Sequence, residues 1–372
     1  MSFEETAAQI ESWVADGAVH GAAISVWHRG EVVANRFAGE SQPGVPVDEG
    51  TLFGMASLSK PITAAAVMSV VDEGLLDLDQ EVVEIIPEFG ADVDPAKANF
   101  ILEPQRDNIT IRQTLAHIAG FPENFDSELY ARIPLPSREE QTDAMLQTPL
   151  ASAPGERLRY SNIGPGIAAR AAEVATGKDF LELIDERILQ PLNLRNIVLQ
   201  PGGDYDDRIA TLQDPGNPGT DRETYNSEWW RSIGLPWGGY YGSTEDMVRF
   251  AASFLPGQES PLSDETKAEM VTDQVKGLEG GVESMYTIWN PGFWGLGWEL
   301  KGTKPQHWTG NKTSPDTWVH WGFAGTLCWF DPSRELGVAV FANRSVVSQW
   351  MFKPQRWTML SDALCDVADG LS

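Results

Sequence analysis

The stretch FGMASLSKPITAAAVM occupies residues Phe53–Met68. Ser57 and Lys60 stand three positions apart in it, immediately before an apolar run that continues towards Gly74. The run has the composition of a helix, Pro61 fits a first helical turn, and Gly74 is a typical C-terminal signal. The stretch therefore predicts a helix that begins at the serine–lysine pair.

The serine–lysine pair has two interpretations. At the start of a helix, residues i and i+3 share one face, and the backbone N–H groups there are unpaired. Ser57 is then a candidate nucleophile, because its own N–H can stabilise an oxyanion and a lysine of lowered pKa can act as its base. In the other interpretation Ser57 is only a favoured N-cap residue. The spacing alone leaves both open, since Ser-x-x-Lys occurs by chance in most proteins of this size.

Strand patterns lie at the two ends of the chain, and helix patterns lie between them. Residues 22–39 read as a hairpin that turns at Arg29-Gly30, and strand patterns return from residue 293 onwards. Pro354 is expected to open a final helix. We therefore expect a mixed α+β or α/β fold with two domains and the active site at their interface. The domains are a discontinuous sheet domain, residues 1–56 and 290–372, and a mostly helical domain, residues 57–289.

The composition argues against several classes of protein. The 372 residues include 54 acidic and 27 basic ones, and the net charge of −27 opposes binding to nucleic acid or to anionic membranes. The five histidines are scattered and no H-E-x-x-H or C-x-x-C motif occurs, so no metal and no cofactor is expected. Cys328 and Cys365 are expected to be buried thiols. No secretory leader or membrane-spanning apolar run is recognisable, so we expect a cytoplasmic protein of unknown oligomeric state.

Two later segments carry residues that suit the same chemistry. Tyr160-Ser161-Asn162 precedes a helix pattern, and a tyrosine beside a lysine ammonium can acquire a lowered pKa and take the serine proton. The sequence VHWGFAGT places His320 and Gly322 between two strand patterns, where a glycine indicates close approach of a ligand or of another backbone. Each segment also has a structural interpretation: a buried tyrosine with a satisfied hydroxyl, and a β-bulge.

The order of these motifs, S-x-x-K, then Y-x-N, then H-x-G, resembles the serine β-lactamase-like superfamily of class C β-lactamases and penicillin-binding-protein-like enzymes. The similarity is greatest to the family VIII carboxylesterases, and five blocks follow in family order between residues 22 and 344. The resemblance implies a β-lactamase-like two-domain fold, with an antiparallel sheet flanked by helices and an inserted, mostly helical domain. It also implies that Ser57 is the acylated nucleophile, and that Lys60 and Tyr160 share the roles of general base and general acid. It implies that Asn162 contacts substrate or Lys60, and that the N–H groups of Ser57 and Phe323 bind the oxyanion. The third motif and its neighbour would complete the substrate-binding set: His320, Trp321, Gly322 and Phe323.

The third motif also separates the possible activities. Class C β-lactamases usually carry a lysine where this chain has His320, and a mostly neutral histidine suits a substrate carboxylate less well. The G-x-S-x-G motif of α/β-hydrolases is absent. We therefore expect a serine carboxylesterase that hydrolyses short-chain esters of small molecules. The alternatives are a D-aminopeptidase, an amidase or a weak β-lactamase, and a non-catalytic binding protein. Six tryptophans are candidate pocket walls or core residues: Trp229, Trp230, Trp237, Trp294, Trp298 and Trp321.

Overall fold

The computed structural model describes residues 1–352 and 355–371, so the expected helix start at Pro354 lies outside the described residues. Strands are present at both ends of the chain and, as short pieces, in its middle. They are β1 Gly21–His28, β2 Glu31–Gln42, β3 Val45–Pro46, β4 Phe53–Gly54, β5 Leu158–Arg159, β6 Ile197–Val198, β7 Tyr241–Gly242, β8 Gly280–Val282, β9 Thr287–Trp289, β10 Glu299–Leu300, β11 Trp318–Gly322, β12 Thr326–Asp331 and β13 Leu336–Ala342.

Seven of these strands form one antiparallel sheet in the order β10-β11-β12-β13-β1-β2-β3. The strands come from both ends of the chain, since β1 pairs with β2 on one side and with β13 on the other. The predicted hairpin turn is confirmed, and Arg29 and Gly30 have the positive φ angles, 49° and 104°, that such a two-residue turn requires. The sheet therefore joins residues 21–46 with residues 299–342, while the division into two domains stays a prediction.

Most of the helices lie between the two groups of sheet strands. The α-helices are α1 Phe3–Ala7, α2 Gln9–Ala15, α3 Ser59–Asp72, α4 Val82–Ile85, α5 Ile111–Leu115, α6 Glu128–Arg132, α7 Arg138–Leu146, α8 Ile163–Thr176, α9 Phe180–Ile184, α10 Glu228–Ile233, α11 Thr244–Ala252, α12 Asp264–Met270 and α13 Arg356–Gly370. Short 3₁₀ helices occur at Ala56–Leu58, Glu103–Asn108, Gly203–Arg208, Glu283–Met285 and Val346–Ser348, and a π-helical segment at Asp185–Leu189.

Both faces of the large sheet are covered by helices. Alternate residues of a strand point to opposite faces. Ser25 of β1 hydrogen-bonds Thr244 of α11 at 2.8 Å, whereas the His28 ring packs on Phe3 of α1 with 5.0 Å between the ring centroids. Every residue of β1 is consequently buried. The antiparallel sheet flanked by helices that the sequence predicts is therefore confirmed.

The predicted helix after the serine–lysine pair is confirmed as α3, which lies in the interior. Its residues from Ser59 to Val70 are all buried, and it packs against α8. A helix that is apolar on every side has to be enclosed by other elements. The 3₁₀ helix Ala56–Leu58 precedes α3 and contacts the end of β11. The serine–lysine pair thus lies where the large sheet meets the helices.

A buried cluster of charged and polar side chains lies beside β10. Glu299 Oε1 accepts a hydrogen bond from Lys304 Nζ at 2.8 Å and lies 3.1 Å from His307 Nε2. The other carboxylate oxygen accepts from Trp308 Nε1 at 3.0 Å. Burial raises the pKa of Glu299, but Lys304 and His307 outweigh that effect, and the pKa falls to about 2. Glu299 is therefore ionised in the interior of the protein.

Candidate active site

Ser57 lies in the connection between β4 and α3. Because it is among the first residues of the 3₁₀ helix Ala56–Leu58, its N–H group has no partner within that helix. Ala56 has a φ of 51°, a left-handed conformation that is uncommon for residues other than glycine. The strained residue directly precedes Ser57, whose side chain lines a cavity.

Lys60 lies one helical turn after Ser57 and is completely buried. Its Nζ atom donates to Ser57 Oγ at 2.9 Å, to Asn162 Oδ1 at 2.7 Å and to the Trp237 carbonyl oxygen at 2.8 Å. Burial lowers the pKa of Lys60 to about 7, although the carboxylate of Glu123 acts in the opposite direction. A large fraction of the amine is therefore neutral at neutral pH and can accept a proton from the serine.

Tyr160 follows β5, and its ring centroid lies 4.8 Å from Lys60 Nζ. Burial raises the pKa of Tyr160 well above its ordinary value, and a hydrogen bond with Ser57 offsets this only in part. The expectation that a neighbouring ammonium lowers the pKa of this tyrosine is therefore wrong. Burial makes the phenolate too costly, and because burial also lowers the pKa of Lys60 to about 7, only part of that amine is charged at neutral pH. Tyr160 therefore keeps its proton at neutral pH.

Asn162 connects the lysine to the wall of the cavity. Its Oδ1 atom accepts from Lys60 Nζ, and its Nδ2 atom donates to Asn124 Oδ1 at 2.7 Å. Its backbone N–H donates to the carbonyl oxygen of Glu123 at 2.8 Å. Of the two contacts that the sequence left open, the structure shows the one with Lys60, and it also places Asn162 in the cavity lining.

The end of β11 approaches the turn before α3 closely. Gly322 permits this approach, because a Cβ atom added there would lie 2.2 Å from the Met55 carbonyl oxygen and 3.0 Å from Ala56 Cβ. The Thr326 hydroxyl donates to the same Met55 oxygen at 2.9 Å. The glycine therefore marks the close approach of another backbone, and the next residue, Phe323, lines the cavity.

His320 lies behind the cavity wall. Its ring is buried, with centroid distances of 6.1 Å to Tyr160 and 5.9 Å to Trp294, and its Nδ1 atom lies 2.9 Å from the Trp321 carbonyl oxygen. Burial lowers the pKa of His320 to about 3, and the charge of Lys60 acts in the same direction. The ring is therefore neutral, as expected. The His320 side chain packs against Tyr160, whereas that of its neighbour Trp321 lines the cavity, and contact of His320 with substrate stays a prediction.

The site residues open into a cavity of about 870 Å³. Three of the six candidate tryptophans line it: Trp230, Trp237 and Trp321. Trp294 and Trp298 are instead completely buried core residues, and Trp229 lines a separate surface cleft. Sequence reasoning missed Glu123, which lies in a loop and gives no periodic signal. It also missed several apolar wall residues: Phe125, Tyr130, Tyr225, Met285, Tyr286, Val346 and Phe352.

Residues 1–352 and 355–371 contain no group of three or more His, Cys, Asp or Glu side chains placed to hold a metal ion. Cys328 and Cys365 are both buried free thiols. Over the described part of the chain, no helix combines the length and the apolar character needed to cross a membrane.

Comparison with known proteins gives relatives of several kinds. The chain is 30% identical over 223 residues to Protein Rv1367c of Mycobacterium tuberculosis (strain ATCC 25618 / H37Rv), a match that covers 57% of this chain and 55% of the relative. It is 29% identical over 294 residues to Penicillin-binding protein 4 of Amycolatopsis lactamdurans, covering 77% of this chain and 68% of that protein. The crystal structure of a family VIII carboxylesterase superposes with a TM-score of 0.73 at 21% identity, covering 93% of this chain and 92% of the other.

These matches differ in what they establish. The chain spans about half the length, 55%, of Protein Rv1367c, and a structural likeness at 21% identity shows the fold alone. The profile of the Beta-lactamase family matches residues 6–350, which is nearly the whole chain and contains every candidate site residue. The resemblance seen in the sequence is thereby confirmed at the level of the superfamily. The chain belongs to the Beta-lactamase family.

Proposed function

We propose that this chain is a serine hydrolase that cleaves carboxylic esters through an acyl-enzyme at Ser57. The observation that carries the proposal is the pair of Ser57 Oγ and Lys60 Nζ, which lie 2.9 Å apart, with a buried lysine whose pKa is about 7. A serine hydroxyl is a weak nucleophile until a base removes its proton. An amine that is partly neutral at neutral pH and lies within hydrogen-bond distance is such a base.

In the first half of the reaction, Lys60 takes the proton of Ser57 while Ser57 Oγ attacks the carbonyl carbon of the ester. The N–H groups of Ser57 and Phe323 stabilise the negative charge that develops on the carbonyl oxygen. The tetrahedral intermediate then collapses, and the bond to the alcohol oxygen breaks. Tyr160 donates its proton to that oxygen and regains one from Lys60, so that the alcohol leaves neutral and the acyl group stays on Ser57.

In the second half, a water molecule attacks the acyl carbon. Lys60 takes one proton from the water, and the Ser57–acyl bond breaks as the carboxylic acid forms. The proton held by Lys60 returns to Ser57 Oγ, so one ester and one water become one acid and one alcohol. Asn162 and the Trp237 carbonyl oxygen hold the lysine in place through both halves.

Two features favour esters over β-lactams and D-alanyl peptides. His320, at the position where class C β-lactamases usually carry lysine, is neutral and buried. In addition, the described residues that line the cavity include no lysine or arginine. Among these described residues, a substrate carboxylate would therefore lose its hydration without gaining a cationic partner in the cavity wall. Neutral short-chain aryl and alkyl esters avoid that cost, and a cytoplasmic location stays a prediction.

The second candidate is an amide-directed activity, as a D-aminopeptidase, an amidase or a weak β-lactamase. The similarity to Penicillin-binding protein 4 favours it, because the same Ser57–Lys60 pair can attack an amide carbonyl. The third candidate is a binding protein without catalysis. The contact between Ser57 and Lys60 speaks against it, since binding alone gives no reason to bury a lysine beside a serine.

The test compares the wild-type protein with Ser57→Ala on p-nitrophenyl acetate and butyrate, a chromogenic cephalosporin and D-aminoacyl p-nitroanilides. We expect the esters to have the highest kcat/KM and the variant to lose about a thousandfold or more. A fluorophosphonate should label Ser57, as mass spectrometry can show. Ester turnover that survives Ser57→Ala contradicts the proposal, and faster turnover of the other substrates selects the second candidate. Absence of both turnover and labelling selects the third.

A further inference from the structure

Glu123 places a carboxylate in the wall of the cavity, where the other described lining residues carry no formal charge. Glu123 lies in the segment between α5 and α6 and lines the cavity together with Ser57 and Tyr160. Among the described residues of this lining, it alone carries a formal charge. A substrate that reaches Ser57 therefore meets one negative charge in the cavity.

The carboxylate of Glu123 is not neutralised by the residues around it. Its Oε1 atom accepts a hydrogen bond from Ser284 Oγ at 3.0 Å, and it forms no ion pair with any residue in 1–352 or 355–371. Arg157 and Arg159, which shortly precede Tyr160, both pair with Glu283 instead, at 3.7 Å and 2.9 Å. Glu123 therefore presents a net negative charge to the cavity.

The backbone fixes the position of this charge relative to the reacting groups. The Glu123 carbonyl oxygen accepts from the Asn162 N–H at 2.8 Å, and Asn162 Oδ1 accepts from Lys60 Nζ at 2.7 Å. The Glu123 carboxylate raises the pKa of Lys60, whereas burial lowers it. It also raises the pKa of Tyr160, in the same direction as burial. A charge that acts on Lys60 also acts on a substrate bound at Ser57.

We propose that Glu123 makes this site selective for esters that carry a cationic ammonium group and against esters that carry an anionic group. The proposal rests on the proposed function, since it concerns substrates of the Ser57 reaction. The aromatic walls act in the same sense, because the faces of rings such as Trp230 and Tyr225 attract ammonium ions. A unit charge a few ångströms from an unpaired carboxylate in a partly hydrated cavity changes kcat/KM by about tenfold.

The test uses esters of equal shape and different charge. On the acyl side, the p-nitrophenyl ester of γ-trimethylammoniobutyric acid is compared with the isostere in which tert-butyl replaces trimethylammonio, and with the analogue in which sulfonate replaces it. On the alcohol side, acetylthiocholine is compared with its tert-butyl isostere. The measured quantity is the ratio of kcat/KM between charged and neutral ester. Taking this ratio within one variant cancels any change in the basicity of Lys60.

Two variants isolate the charge. Glu123→Gln keeps the size of the side chain and an acceptor for Ser284. Glu128→Gln is the matched control, because its carboxylate is exposed, pairs with Lys97 and lies outside the cavity lining. We expect the wild-type protein and Glu128→Gln to prefer the cationic ester about tenfold in at least one series. Glu123→Gln should lose that preference and accept the sulfonate ester better, and added salt should weaken the preference of the wild-type protein.

The outcomes separate this proposal from the proposed function. If Ser57 hydrolyses the neutral esters but the charge ratios are the same in wild-type and Glu123→Gln protein, the selectivity proposal is overturned and the esterase stands. If no ester is hydrolysed, the esterase proposal falls. Selectivity is then measured as the rate at which phosphorothiolates with the same cationic or neutral leaving group label Ser57. Equal labelling rates overturn the role of Glu123, and faster cationic labelling that Glu123→Gln abolishes supports it.

Discussion

At the scale of single residues, one physical cause gives the two neighbours of Ser57 opposite roles. Burial penalises the charged form of any side chain, so it lowers the pKa of the Lys60 ammonium and raises that of the Tyr160 phenol. The lysine releases its proton easily, whereas the tyrosine holds its proton. In the proposed reaction they are the base and the acid beside the same serine.

The pH dependence of the reaction should report the pKa of Lys60. We expect kcat/KM for a neutral ester to rise as the pH increases through about 7, because the lysine must be deprotonated to act as the base. Glu123→Gln removes a charge that raises this pKa, so the rising limb should move to lower pH. Rate profiles of the two proteins measure the shift. A limb that moves to higher pH would show that Lys60 is not the group that titrates.

The hydroxyl group of Tyr160 can be removed while the aromatic ring is kept. In Tyr160→Phe the packing on His117 and Trp294, at centroid distances of 4.8 Å and 5.7 Å, remains. We expect kcat to fall by about a hundredfold or more, because a general acid is lost, while the melting temperature changes little. Steady-state kinetics and calorimetry test this pair of outcomes. A kcat within tenfold of wild type would rule out proton donation by Tyr160.

The sequence predicts some of these residue positions and not others, for physical reasons. The contact between Ser57 and Lys60 follows from helix geometry within four residues. The direction of the Tyr160 pKa shift depends on burial by elements far away in the chain, so it cannot be predicted from the local sequence. Strand alternation places His320 and Trp321 on opposite faces, but it does not say which face meets the cavity. Only the packed structure decides that.

At the scale of elements, the site depends on how β11 ends. This strand pairs with β10 only through Val319 and Trp318, so the backbone beyond them is not held by β10. Its last residues lie against the turn before α3 instead. Beyond Val319 this strand pairs with β12 but not with β10, which leaves the side that β10 does not cover for an oxyanion site at Phe323.

The close approach of β11 can be tested at Gly322. In Gly322→Ala the added Cβ meets the Met55 carbonyl oxygen at 2.2 Å, and a backbone atom cannot swing away as a side chain can. We expect about 1–3 kcal/mol of lost stability and at least a tenfold loss of kcat/KM, because the end of β11 must move. The matched control is Gly202→Ala, where the added Cβ meets nothing within 4 Å. Equal kinetics for the two variants would contradict the proposed oxyanion geometry.

The elements themselves were easier to predict than the walls of the cavity. The strands at both chain ends and the helix after Ser57 follow from apolar periodicity and from turn residues. In the sequence, nothing distinguishes Trp294 and Trp298 from Trp230, yet these two tryptophans fill the core. Glu123 lies in a loop without periodicity, so its place in the cavity follows from the path of the chain alone.

At the scale of the whole molecule, the buried cluster at Glu299 is a sensitive point of stability. Lys304→Met leaves the ionised carboxylate with fewer partners in the interior, which should cost about 3–5 kcal/mol. The double variant Lys304→Met with Glu299→Gln removes both charges and should recover part of that loss. Urea unfolding of the three proteins measures it. A single variant as stable as the wild-type protein would mean that water reaches the cluster.

The same cluster predicts a loss of stability in acid. The pKa of Glu299 is about 2 in the folded protein and near 4.5 in an unfolded chain. Its ionisation therefore stabilises the fold fully above pH 4.5, and this contribution disappears as the pH falls from 4.5 towards 2. Unfolding curves across that range should show a steeper decline for the wild-type protein than for the double variant. Parallel declines would place the acid sensitivity elsewhere.

The pairing of β1 with β13 has a consequence for how the protein is made. Ala22 lies opposite Ala342, so the middle of the sheet joins residues from the two ends of the described chain. During translation β1 and β2 emerge long before β13 and can form their hairpin, but the other edge of β1 lacks its β13 partner until that strand leaves the ribosome. Long-range pairing of this kind also forms slowly. The nascent chain therefore carries an open strand edge until β13 has been made, and this hairpin is where we expect a chaperone to bind.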